Sequence, residues 1–136
     1  MKDKVFIDSN LFIYSYTDVL PEKQATARKL IEGLPQINIS TQVLNEFVNT
    51  MLKKMKVPWD IITGNLQEII ENSQVKTISA QTVLKACDIA SKYKYSYYDS
   101  LIIAAALEAG CNTLYSEDMH SGQLVENKLK IVNPFI

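Results

Sequence analysis

These 136 residues predict an α/β domain with a mostly parallel sheet of four to five strands and helices on both faces. Three observations carry that prediction. Short β-branched and aromatic runs alternate along the whole chain with longer stretches of helical periodicity, the order that builds strand–helix–strand crossovers. The run Leu101 to Leu107 has no polar face, and a helix apolar all round belongs in the middle of a domain. Acidic residues recur where strands end or helices begin. With 47% apolar and 21% charged residues the chain is globular, and its length suits a single domain over residues 1–136.

Lys4 to Ile7 reads as the first strand. Pro21 and Glu22 open a helix carrying Ala25, Ala27, Leu30 and Ile31, stopped at Gly33 with Pro35 beyond it. Ile37 to Ile39 is a second strand. Ser40 or Thr41 caps the next helix, which runs to about Lys56 on a stripe of Leu44, Phe47, Val48, Met51 and Met55. Pro58 suits the first position of a helix reaching about Asn72. Val75 to Ile78 is a third strand, and Ser79 introduces a helix with Val83, Leu84, Cys87, Ile89 and Ala90 inward. A buried helix spans about Tyr98 to Ala109 and ends at Gly110. Thr113 to Tyr115 and Lys130 to Val132 complete the strands.

Composition excludes several classes of function. The longest apolar run is far too short to cross a bilayer, so no membrane role is expected. The N-terminal residues lead straight into a strand without a signal peptide, which places the protein in the cytoplasm. Cys87 and Cys111 lack metal-ligand spacing and read as reduced, partly buried side chains. A net charge of −1 gives no global pull toward nucleic acid, and of the fourteen basic residues only Arg28 is an arginine. His120 is the only histidine and has no nucleophile or Cys/His partner set, which leaves it a solvent-facing loop residue.

Four acids carry the chemistry. Asp8 closes the first strand, Glu46 lies in the early turns of a helix after the second, Asp99 opens the apolar helix, and Asp118 follows the strand Thr113 to Tyr115. In an open parallel sheet the carboxyl ends of the strands share one edge, where ligands bind. Carboxylates brought to one spot repel each other unless they hold a cation, which is the argument for a metal site. Each acid also has a plainer role available. Asp8 could bond the next helix N-terminus, with Asn10 taking a turn role or orienting a water. Asp99 could be a helix N-cap, and Asp118, like its neighbour Glu117, an ordinary loop acid. Helical periodicity leaves Glu46 open between rimming a pocket and facing water.

Taken together the segments resemble a known family. Phe6-Ile7-Asp8-Ser9-Asn10, Val43-Leu44-Asn45-Glu46-Phe47, Tyr98-Asp99-Ser100-Leu101-Ile102-Ile103 and Leu114-Tyr115-Ser116-Glu117-Asp118-Met119 come in the order and spacing of PIN-domain nucleases. Ile131-Val132-Asn133-Pro134-Phe135 is similar to the last strand of small members. The resemblance implies a PIN-like, Rossmann-like fold. It also implies that Asp8, Glu46, Asp99 and Asp118 are the catalytic, metal-binding quartet, with Asn10 and Ser116 supporting it and Glu117 an auxiliary. The short length looks most like the toxin half of VapBC-type toxin–antitoxin pairs. That implies an RNA substrate, an antitoxin partner plugging the acidic groove, and a homodimer formed through exposed helix faces.

An all-oxygen site of this kind suits Mg²⁺ or Mn²⁺. Asp8, Asp99 and Asp118 would hold metal, and Glu46 a second ion or the attacking water, for hydrolysis of a phosphodiester. Lysines must steady the phosphates. Lys92, Lys94 and Tyr97 lie in a run that interleaves lysines with tyrosines, the combination that binds single strands, and Lys53 and Lys54 form a second basic cluster. Both clusters could equally be solvated helix ends. The rivals are a non-catalytic binding module on the same fold and a housekeeping nuclease. An aspartyl-phosphate phosphatase would need an acid where Asn10 stands. Trp59, Ile61, Ile62 and Leu66 mark the Pro58 helix as a contact surface, unless Trp59 fills the core.

Overall fold

Val5, Phe6 and Ile7 are all buried, and they form the central strand β1 (Val5–Ile7) of a computed structural model that describes residues 3–136. A strand buried on both faces reads as a continuous apolar run, as here. β1 pairs in parallel with β2 (Asn38–Ser40) on one side and β4 (Thr113–Tyr115) on the other, with Phe6 opposite both Asn38 and Leu114. β3 (Gln74–Lys76) adds outside β2, and β6 (Leu129–Val132) outside β4. The sheet order is β3-β2-β1-β4-β6-β5.

Among the described residues there are six strands, more than the four to five expected, and β5 (Leu124–Val125) is the antiparallel one. Two residues are too few to give a sequence pattern. A tight turn makes the strand: Glu126 and Asn127 both take positive φ, at 51° and 55°, and Lys128 N–H bonds Val125 C=O at 3.0 Å. Glutamate rarely adopts that conformation. Here its N–H donates to the Tyr93 hydroxyl at 2.9 Å and its carboxylate pairs with Lys85 at 2.8 Å, which holds the turn in place.

Among the described residues six helices cover the sheet: α1 (Ser9–Tyr16), α2 (Pro21–Gly33), α3 (Thr41–Lys53), α4 (Trp59–Glu71), α5 (Ala80–Tyr93) and α6 (Tyr97–Glu108). α1 was not expected. Its aromatic and β-branched residues read locally as strand or loop, and tertiary contact with α2 and α3 decides the outcome. α3 stops three residues short of Lys56, whose φ of 55° no helix can hold. Ser79 and Thr82 form a reciprocal capping box at the start of α5. In α6 every residue from Ser100 to Ala106 is buried, as the missing polar face predicts. Trp59 is 60% exposed and does not fill the core. Cys87 is also exposed, because Val83, Leu84 and Cys87 turn outward while Thr82, Ala86 and Ile89 face in. Among the described residues no helix is long and apolar enough to cross a membrane.

Phe47 anchors the packing beneath the acidic edge. It is fully buried on α3 and meets Tyr16 edge-on at 5.9 Å. Phe47→Ala is expected to cost about 3–5 kcal/mol of unfolding free energy, read from denaturant titration; a loss below about 1 kcal/mol would mean that this contact does not organise α1 on α3.

Candidate active site

Asp8 leaves β1 at the carboxyl edge of the sheet, and its N–H extends the β1–β4 ladder by bonding Tyr115 C=O at 3.0 Å. The chain must turn there, and Asp8 caps α1 by accepting from Ser9 N–H at 2.7 Å. Its other oxygen accepts from the Ser116 hydroxyl at 2.7 Å, and Ser116 Oγ in turn accepts from Asp118 N–H at 3.3 Å. Asn10 ties the same loop from the other side, donating to Asp118 Oδ2 at 3.1 Å and accepting from Glu117 N–H at 3.4 Å. One first-turn segment therefore grips the loop after β4.

Glu46 sits half-buried on α3. Ser9 Oγ donates to its Oε1 at 3.2 Å and Gln42 Nε2 to its Oε2 at 3.0 Å. Asp99 lies in the first turn of α6, capped by Ser96, which accepts from Asp99 N–H at 3.2 Å. The cap belongs to Ser96, which leaves the Asp99 carboxylate free of that duty.

The four acids feel one another. Burial pushes Asp8 up to about 7, against the pull of the Ser116 hydroxyl, with Glu46 and Asp99 adding repulsion. Burial likewise raises Glu46, opposed by its bonds from Gln42 and Ser9 and helped by the charges of Asp99 and Asp118. Burial also raises Asp99, opposed by Ser96 and helped by Asp118. The ion pairs among the described residues are Lys23–Glu117 and Lys85–Glu126, so none of the four acids has a cationic partner. A buried carboxylate with one backbone donor and one hydroxyl is poorly compensated. Among the described residues no three His, Cys, Asp or Glu side chains are already drawn together to hold an ion. The donor set, all hard oxygens with net negative charge, is of the kind that suits a hard divalent cation.

Lys53, Lys54, Lys92, Lys94 and Tyr97 are exposed, and none forms an ion pair with the four acids. His120 is exposed, as expected, with its N–H on the Tyr95 hydroxyl at 3.2 Å. Glu117 is spent on holding its loop, accepting from the Tyr14 hydroxyl and from Lys23. Sequence reasoning missed Ser9, Gln42, Tyr14 and Lys23. Gln42 stands one helical turn before Glu46, and Ser9 follows Asp8, so both had a local signal. Tyr14 and Lys23 had none. A cleft of about 540 Å³ lies away from the acids, lined by Arg28, Glu68 and Asn72 among others. Ile37 and Ser73 precede β2 and β3, so this cleft opens at the amino edge of the sheet and shares no residue with the quartet.

Acids from four separate elements, close enough to shift one another's pKa, at the carboxyl edge of a mostly parallel sheet mark the edge where α/β domains of this class bind ligands. The chain belongs to the PIN domain family, whose model matches residues 5–121. No curated protein matches the sequence with significance. Among solved structures, the sarcin–ricin-loop-cleaving toxin VapC20 of Mycobacterium tuberculosis superposes with a TM-score of 0.74 at 16% identity, covering 90% of this chain and 98% of that one. A chain of a Klebsiella pneumoniae toxin–antitoxin complex gives 0.70 at 20% identity, with 96% and 98% covered. DNA-bound VapBC from Salmonella typhimurium gives 0.68 at 16%, with 96% and 97% covered. At these identities the likeness is one of fold.

Proposed function

We propose that the chain is a metal-dependent endoribonuclease that hydrolyses RNA phosphodiesters in this crevice, and that it is the toxin of a toxin–antitoxin pair. The observation that carries the nuclease reading is Asp8: a buried carboxyl, pushed up to about 7, facing further acids and no cation. A fold of this family tolerates that cost where a cation is part of the working state.

Asp8, Asp99 and Asp118 would hold Mg²⁺ or Mn²⁺, and Glu46 a second ion or the attacking water. The bound ion would supply Lewis acidity toward the phosphate and toward water. The protein's own part is orientation. Ser116 and the Ser9 N–H fix both oxygens of Asp8, Asn10 fixes Asp118, and Ser9 with Gln42 fixes Glu46. Burial makes Glu46 a stronger base than a solvated carboxylate, which suits it to take a proton from water at Oε1 or Oε2.

The toxin reading draws support from neighbours in fold that are toxins or toxin–antitoxin complexes. By that reading the partner is an antitoxin filling the acidic groove, the protein is a homodimer, and it acts in the cytoplasm. Trp59 and Ile61, 60% and 51% exposed on α4, offer a dimer face; a solution mass of one chain would remove it. The nuclease reading is tested by incubating purified, antitoxin-free protein with labelled single-stranded RNA or DNA in Mg²⁺, Mn²⁺ or EDTA. Metal-dependent cutting of RNA is expected. Cutting that survives EDTA, or no cutting across a broad RNA pool, would favour a binding module.

A further inference from the structure

Any nucleic acid entering this crevice brings negative charge toward four carboxylates, so some cation on the rim must offset it. Among the described residues, Lys23, near the start of α2, is the lysine that hydrogen-bonds the acid-bearing loop. Its ammonium donates to Glu117 Oε2 and, at 3.3 Å, to the Tyr14 hydroxyl. It lies 4.9 Å from the Tyr14 ring centre and 5.5 Å from that of Phe135, and the two rings meet edge-on at 5.1 Å. Glu117 is the residue before Asp118, and its N–H and the Asp118 carboxylate are both held by Asn10.

We propose that Lys23 is the phosphate-contacting residue of the crevice, receiving a backbone phosphate of a bound RNA single strand; this rests on the nuclease reading above. An ammonium has three donors, and the protein uses two. The side chain is 36% exposed, so the third donor can meet solvent or ligand. Glu117 and the two rings have already restricted its rotamers, and a pre-ordered lysine loses less freedom on binding than Lys53, Lys54, Lys92 or Lys94, which are exposed and form no ion pair among the described residues. Glu117 thereby serves as a positioning residue that orients the cation.

The test measures binding of a 5′-labelled single-stranded RNA by fluorescence anisotropy in an Asp8→Asn background, which prevents cutting, across a salt series. Adding Lys23→Met, which keeps an unbranched stem, is expected to weaken binding about tenfold. It should also reduce the slope of log affinity against log salt by about 0.7, the value for one phosphate contact on a single strand. Lys23→Arg should restore the slope, and Glu117→Gln, which leaves the ammonium, should keep it. With Asp8 present, Lys23→Met should raise KM more than it lowers kcat. An unchanged slope in Lys23→Met, while the unaltered protein still cuts RNA, would overturn the Lys23 proposal alone. A slope lost equally in Glu117→Gln would reduce Lys23 to a structural strut. Folded, unaltered protein that neither binds nor cuts RNA would overturn the nuclease reading, and the Lys23 proposal with it.

Discussion

Asp8→Asn is expected to lower RNA cleavage by about a thousandfold or more while making the metal-free protein more stable at neutral and alkaline pH. The two effects share one cause. The carboxylate is buried with a single backbone donor and the Ser116 hydroxyl, so its charge is held at a cost that only a cation repays. Asparagine can keep both contacts: its oxygen accepts from Ser9 N–H, and its amide can donate to Ser116 Oγ. The charge disappears and the shape remains. Cleavage assays and thermal melts on the same preparations check both halves. A variant that cuts normally would remove Asp8 from the chemistry. One that is dead because it is unfolded would contradict the strain argument.

Without divalent metal, stability should fall as pH rises from about 4 to about 7. Asp8 has its folded pKa raised from 3.8 to about 7, so the protonated form is the one the fold prefers. A group raised in this way contributes stability that is fully present below the unfolded value and lost as pH climbs through the folded one. Three units correspond to an upper figure on the order of 4 kcal/mol. Glu46 and Asp99 are raised too and act in the same sense. Glu126, lowered by Lys85, acts in the opposite sense, but it is a partly exposed pair and weighs little. Melting temperatures in EDTA between pH 4.5 and 8 should therefore decline, Mg²⁺ or Mn²⁺ should flatten the curve at its upper end, and Asp8→Asn should flatten it without metal. A metal-free curve with no slope would show that Asp8 is better solvated than its burial implies.

Much of the fold was legible because strong local signals agreed with it. The apolar run of β1, the capping serines Ser40 and Ser79, Pro21 and the polar-free face of α6 each fixed an element near its observed place. What escaped was decided at long range. α1 is helical because Asp8 caps it and α2 and α3 pack on it, although its own residues favour extended chain. β5 exists only through a two-residue turn pinned by Lys85 and Tyr93. The candidate acids were legible because strands place their ends together, and the structure brings all four within electrostatic reach. The lysine that the structure pairs with Glu117, next to Asp118, had no local signal. Lys23 is 94 positions from Glu117, and no spacing rule links the two.

The Asp8–Ser116 hydrogen bond joins residues 108 positions apart, which bears on how the chain is made. A polypeptide still growing on a ribosome carries Asp8, Asn10 and Glu46 early, yet it cannot seat them until β4 and its following loop have emerged. The crevice is thus among the late features to assemble, because its closure waits on contacts between opposite ends of the chain. Unfinished products released before that point would lack both Ser116 and Asp118, and with them the grip of Asn10 on the loop. A chain cut short before β4 therefore cannot complete the acidic quartet.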